Sequence, residues 1–245
     1  MESKGKISRA GHDSADFSAV LVKALAFVAI FFLTYTLFSA AALLSSDNFL
    51  ADIIAELAFP ASVVFYLIAV DRTPIGKIAE KLYIGRKSIN VNAVAFGILV
   101  FLAIFLFELA IGILAQATNT QVNTNVGTIF GGAPVWFIFA AVTVVPISEE
   151  ILFRAFLITK LSFVDRAISA RGRMPWFAIS VSAVIFALPH LAYNSTYGIE
   201  AIGALLFGIL SGYAFVRTKS LYSSILAHAM VNAVAFIVMF IVATL

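Results

Sequence analysis

The chain of 245 residues has no cysteine, which excludes disulfides, thiolate metal sites, haem attachment and a cysteine nucleophile together. It is also short of charge. Asp, Glu, Lys and Arg make up 12% of it while 62% falls in the hydrophobic set, more apolar than a water-soluble domain tolerates. The few charges cluster between long apolar runs instead of spreading over a surface. The net charge of +3 contains no lysine or arginine block dense enough for a nucleic-acid footprint, so no nucleic-acid partner is expected and the basic residues are read through membrane topology.

In place of charge there are apolar runs of membrane-crossing length. The first, from near Phe17 to about Leu44, is too long for a cleavable signal peptide and is read as a retained span. At ~20 apolar residues per helical crossing, seven candidates emerge: about 18–44, 50–70, 90–116, 133–160, 175–192, 198–216 and 221–244. The expected fold is an all-α, polytopic transmembrane helical bundle of about seven spans, with room for an eighth, re-entrant or broken segment in 71–89 or 117–132. Residues 1–17 read as a polar tail, in which His12 faces solvent, and 18–245 as a single transmembrane domain without internal repeats.

The connections alternate in charge. Segment 71–89 carries Arg72, Lys77, Lys81, Arg86 and Lys87; 160–174 carries Lys160, Arg166, Arg171 and Arg173; the turn 217–220 carries Arg217 and Lys219. The loops 45–49, 117–132 and 193–197 have no basic residue. By the positive-inside rule the N-terminus is cytoplasmic and the C-terminus outside, with the cell membrane as the expected location. Thr118–Gly132, rich in Asn, Thr and Gly, reads as an external loop. Gly208 and Gly212, four apart in the sixth span, read as a small-residue stripe for close helix packing.

An ionisable side chain inside a span costs about 2.5–3.5 kcal/mol on insertion scales, so each needs a partner, a water cavity or a task. The fourth span carries Glu149, Glu150 and Arg154, the fifth Phe186 and His190, and the seventh His228 and Asn232. At about 100° per residue, Glu150 and Arg154 share a helix face and can neutralise each other. Glu149 is rotated away by about 100° and has no cation on its own helix, which makes it the chemically available carboxylate. The same i, i+4 spacing aligns His228 with Asn232 and Phe186 with His190. Glu150 and Arg154 can also be read as a buried ion pair that only fixes helix packing. The whole constellation is more than packing requires and suggests a site that binds and activates water. The depths of Glu149, His190 and His228 differ by roughly 10 Å at ~1.5 Å per residue, so tilted or broken helices are expected, and Pro146 and Pro189 stand where they would bend the fourth and fifth spans.

Other polar residues read as structural. Asp52 and Glu56 lie near the outer end of the second span, where interfacial water solvates them. Glu200 sits at a helix start, which favours a carboxylate, and Lys23 snorkels to the interface. Glu108 in the third span has no partner that the sequence names.

Three strategies for membrane proteolysis are missing their signatures: neither His190 nor His228 begins H-E-x-x-H, no intramembrane Asp stands in G-x-G-D, and Gly208-Ile209-Leu210-Ser211-Gly212 has the wrong spacing for G-x-S-G. The pattern Glu149-Glu150-x-x-x-Arg154, Phe186-x-x-x-His190, His228-x-x-x-Asn232, in that order on separate spans, resembles the CPBP family. This is the family of CAAX proteases and bacteriocin-processing enzymes, also called Abi, to which the type II CAAX prenyl endopeptidase belongs. The likeness runs from about Pro134 to Ala233, including Phe207-Gly208-x-x-x-Gly212 and Thr218-Lys219-Ser220-Leu221. The first 130 residues carry no motif that matches.

The resemblance implies a metal-independent intramembrane glutamate endopeptidase with no cofactor. It implies that Glu149 with His190 activates water, that His228 and Asn232 stabilise the oxyanion, and that Glu150, Arg154 and Phe186 support the site. It implies as partners the lipid bilayer and a peptide or protein substrate, prenylated or not; no residue chooses the substrate or sets the oligomeric state. Three alternatives stay open: a non-catalytic immunity or scaffold protein of the same fold, a metal-dependent protease whose zinc is held by Glu149, His190 and His228, and a transporter or proton relay.

Overall fold

A computed structural model describes residues 3–118, 133–168, 174–191 and 199–244. Among the described residues there is no strand. Helix α1 (Ser3–Ala42) contains the crossing segment Ala19–Ala42, so the polar N-terminal stretch continues the helix of the first span. The second span is two helices, α2 (Asn48–Glu56) and α3 (Ala58–Ala69). The break has a local cause, because Pro60 offers no N–H to the Glu56 carbonyl. The one-turn α4 (Ile78–Lys81) lies among 3₁₀ turns in the basic loop, followed by α5 (Val91–Ala117).

Helix α6 (Val135–Glu150) passes through a π-helical segment, Ile151–Ile158, into α7 (Thr159–Ile168). Helix α8 (Trp176–Ala187) tightens into a 3₁₀ turn at Leu188–Leu191, and α9 (Ile199–Thr218) and α10 (Tyr222–Thr244) complete the bundle. Six stretches are long and apolar enough to cross a membrane and Trp176–Leu191 is a shorter apolar one, so the seven expected spans all exist as helices. Of the two places considered for an eighth segment, 71–89 forms short turns and helices, and 117–132 lies outside the described residues after Thr118.

The chain is a multi-pass membrane protein, and its packing follows from its solvent. Large apolar side chains such as Leu25, Phe32, Leu106, Phe139 and Phe240 are exposed on its outside, as expected where hydrocarbon replaces water. Helices therefore associate through close packing and hydrogen bonds. Gly208 of α9 lies against Ala183 of α8, and a Cβ there would stand 2.8 Å from the Ala183 Cα. Gly97 of α5 lets the backbone of Ser223 in α10 approach in the same way, at 2.9 Å from a would-be Cβ. Replacing Gly208 by alanine is expected to cost about 1–3 kcal/mol by overpacking. Unfolding in detergent should report it, and an unchanged midpoint would contradict this contact.

Polar groups fix the helix ends. The Asp165 carboxylate of α7 accepts hydrogen bonds from the backbone N–H groups of Phe177 (2.9 Å) and Ala178 (3.0 Å), capping α8 from a neighbouring helix where an anion is favoured. At the end of the bundle carrying the basic loops, Asp71 pairs with Lys160 and lies 3.9 Å from Lys23. These contacts tie α1, α3 and α7 together.

Candidate active site

Three local irregularities bring the polar residues of α6, α8 and α10 together. Pro146 inside α6 removes the hydrogen bond to the Val142 carbonyl. Beside this kink, the Asn232 side-chain amide of α10 donates to the Ala141 carbonyl at 2.9 Å. The π-helical segment then turns Phe153 and Arg154 inward. Its unusual hydrogen bonding is supported by Ser182 of α8, whose hydroxyl donates to the Phe153 carbonyl at 2.7 Å. Finally, α8 gives way to its 3₁₀ turn around Pro189, and there His190 Nδ1 lies 3.1 Å from the Phe186 carbonyl.

The two adjacent glutamates are used differently. Glu150 is fully buried: its Oε2 lies 3.0 Å from Arg154 Nε and its Oε1 3.1 Å from His228 Nδ1. Glu149 keeps 16% of its side chain exposed and stands 3.5 Å from His228 Nε2 through Oε2. His228 thus sits between the two carboxylates with one ring nitrogen toward each.

Arg154 has 0% side-chain exposure. Its Nε donates to Ser211 Oγ at 2.9 Å, and its guanidinium carbon lies 4.4 Å from the Phe186 ring centroid, 5.4 Å from Phe207 and 5.8 Å from Phe153. A buried cation is tolerable only with such compensation: one carboxylate, one hydroxyl and three aromatic faces. Phe186 is the hub, its ring also 5.2 Å from His190 and 5.8 Å from His228.

The structure therefore gathers Glu149, Glu150, Arg154, Phe186 and His228 into one connected cluster. His190 joins it through Phe186, and Asn232 sits one turn beyond His228. Direct contact with Glu149 is made by His228, while the described hydrogen bond of His190 is to its own helix. Among the described residues, no group of three His, Asp or Glu side chains stands in a metal-holding arrangement.

Ser211, which touches the cluster, and Glu56 of the second span escaped sequence reasoning. In the sequence Ser211 stands only in a mismatch to a serine-protease motif, and the available signal is a hydroxyl four residues after Phe207 on the small-residue face of α9. Glu56, expected at a solvated interface, instead turns inward. Its Oε2 is buried and has no hydrogen-bond partner among the described residues.

Residues 131–234 match the model of a family described as "Type II CAAX prenyl endopeptidase Rce1-like". The matched segment contains every motif residue of the cluster from Glu149 to Asn232 and leaves out the first span, α2, α3 and α5. No curated protein and no solved structure matches the chain.

Proposed function

We propose that this chain, whose residues 131–234 belong to the type II CAAX prenyl endopeptidase Rce1-like family and make it a membrane protease, is a glutamate-type, metal-independent intramembrane endopeptidase. Its substrate is a membrane-associated peptide or protein, cleaved near a prenylated C-terminus or within another membrane-bound tail. The observation that carries this reading is the division of labour between adjacent carboxylates. Glu150 is spent on Arg154 and His228, whereas Glu149 is partly exposed and its described ion-pair contact is with His228 Nε2.

Glu149, flanked by His228 and with His190 across Phe186, takes a proton from water as general base. The water oxygen bonds to the scissile carbonyl carbon and the C=O electron pair moves onto the carbonyl oxygen. His228 and Asn232 stabilise that oxyanion. One amide hydrogen of Asn232 is engaged by the Ala141 carbonyl, and the other remains to donate. The C–N bond then breaks, its electron pair stays on nitrogen, and the proton held by Glu149 passes to the leaving amine. Glu150, Arg154 and Phe186 keep His228 and the π-helical segment in register. The alternation of basic loops supports a cytoplasmic N-terminus in the cell membrane, so a prenylated tail would enter from the cytoplasmic side.

The test is cleavage of a prenylated tetrapeptide-tailed reporter, its unprenylated twin and a mixed peptide library by purified protein, with and without chelator. Cleavage that survives chelation supports the reading; chelator-sensitive cleavage points to a metal, and no cleavage by folded protein to a binding or scaffold role. If Asn232 serves the oxyanion, Asn232→Ala should lower kcat about 10²–10³-fold. A fall in stability with kcat kept would reduce Asn232 to its helix contact with Ala141.

A further inference from the structure

A membrane-embedded carboxylate that the site as described does not use is Glu56, which lies outside the segment that matches the family. Three observations bring it to the site. First, the second span breaks directly after it, and the junction is level with the glutamates: Phe59, three residues on, meets Phe153, four residues after Glu149, with ring centroids 6.2 Å apart at 81°. Second, α2 packs against α6 and α3 against the π-helical segment, with Phe49, two turns before Glu56 on the same face, 4.7 Å from Phe137. Third, Glu56 Oε2 is buried and has no hydrogen-bond partner among the described residues. A buried carboxylate oxygen without a donor is costly. A second carboxylate at the same level of the bundle makes it more so.

We propose that Glu56 is a second working carboxyl of this site, which holds from the side of the second span the water that Glu149 activates. This rests on the peptidase reading above and adds to it a residue supplied by the amino-terminal half of the chain. Glu56 accepts a hydrogen bond from the water hydrogen that is not transferred; the other hydrogen goes to Glu149 as the oxygen attacks, and Glu56 itself neither gains nor loses a proton in the step. Held by two acceptors, the water presents a lone pair to the carbonyl carbon in one orientation.

Glu56→Gln in the full-length protein preserves the shape of the side chain and replaces one acceptor oxygen with a donor. It is expected to lower kcat at least tenfold with KM within twofold, and Glu56→Asp should recover part of the loss. Asp52→Asn, one exposed turn away, should keep wild-type kcat. A Glu56→Gln enzyme with wild-type kcat overturns the proposal. A second measurement needs no activity: thermal unfolding of Glu56→Gln, Glu149→Gln and the double variant. If the two carboxyls face each other, relieving one leaves little for the second substitution to relieve, and the double variant should melt no more than about a degree above the better single one. Strict additivity would overturn the proposal whether or not a substrate has been found. Absence of cleavage by wild type together with non-additive melting would fail the peptidase reading while leaving the carboxyl pair standing.

Discussion

Glu149→Gln should abolish peptide cleavage, with a fall in kcat of at least about 10²–10⁴-fold, the usual contribution of a general base, while the protein stays folded. The fold survives because Glu149 is partly exposed and its described polar contact is the 3.5 Å approach to His228, so the amide leaves no buried cation unpaired. The check is kcat with the best reporter, alongside a melting curve, each with and without chelator. Loss of activity at an unchanged or raised melting point identifies a group that works in the reaction. Retained cleavage in Glu149→Gln would remove the base from the mechanism and leave Glu150 as the alternative. Glu150 is a poor one, since Arg154 and His228 already engage both of its oxygens.

Arg154→Ala should fail for the opposite reason. It removes the cation that compensates Glu150, the donor to Ser211 and the partner of three aromatic rings. Breaking a buried ion pair on one side costs about 3–5 kcal/mol because the remaining charge is stranded. Chemical or thermal unfolding in detergent should show that loss. Arg154→Lys is expected to rescue little, because an ammonium group does not reproduce the planar guanidinium stacked on Phe186 or its Nε hydrogen bond. A double Glu150→Gln, Arg154→Met variant should be less destabilised than Arg154→Ala, since it strands no charge. Equal destabilisation would show that the aromatic cage, and not the ion pair, carries the stability. Because Glu150 also holds His228, the double variant should still be inactive, which separates folding from function at the same pair.

These expectations draw on different levels of the molecule. The seven spans, the polar sites and the likeness of residues 134–233 to a protease family are visible in the sequence because a membrane makes local composition decisive. About twenty apolar residues must form a helix in hydrocarbon, and a charge placed there is conspicuous. The contact of Glu150 with Arg154 is legible for the same reason, as i, i+4 geometry acts within one helix and survives the start of the π-helical segment. The two prolines show where α6 and α8 depart from regular geometry.

What the sequence could not settle are contacts between helices and the depth at which they meet. That His228 lies between both glutamates, that Ser211 completes the shell of Arg154, and that Phe186 touches the guanidinium and both imidazoles depend on how α6, α8, α9 and α10 cross. Gly208, the π-helical segment and the 3₁₀ end of α8 together set those crossings. Glu56 is the sharpest case. By residue count it belongs near the interface with Asp52, but the break after it and the packing of α2 and α3 on α6 bring it to the level of Glu149. Periodicity records which face of a helix a residue occupies. Only tertiary packing decides which residue of another helix it meets, because that depends on tilt, kink and close approach summed over the whole bundle.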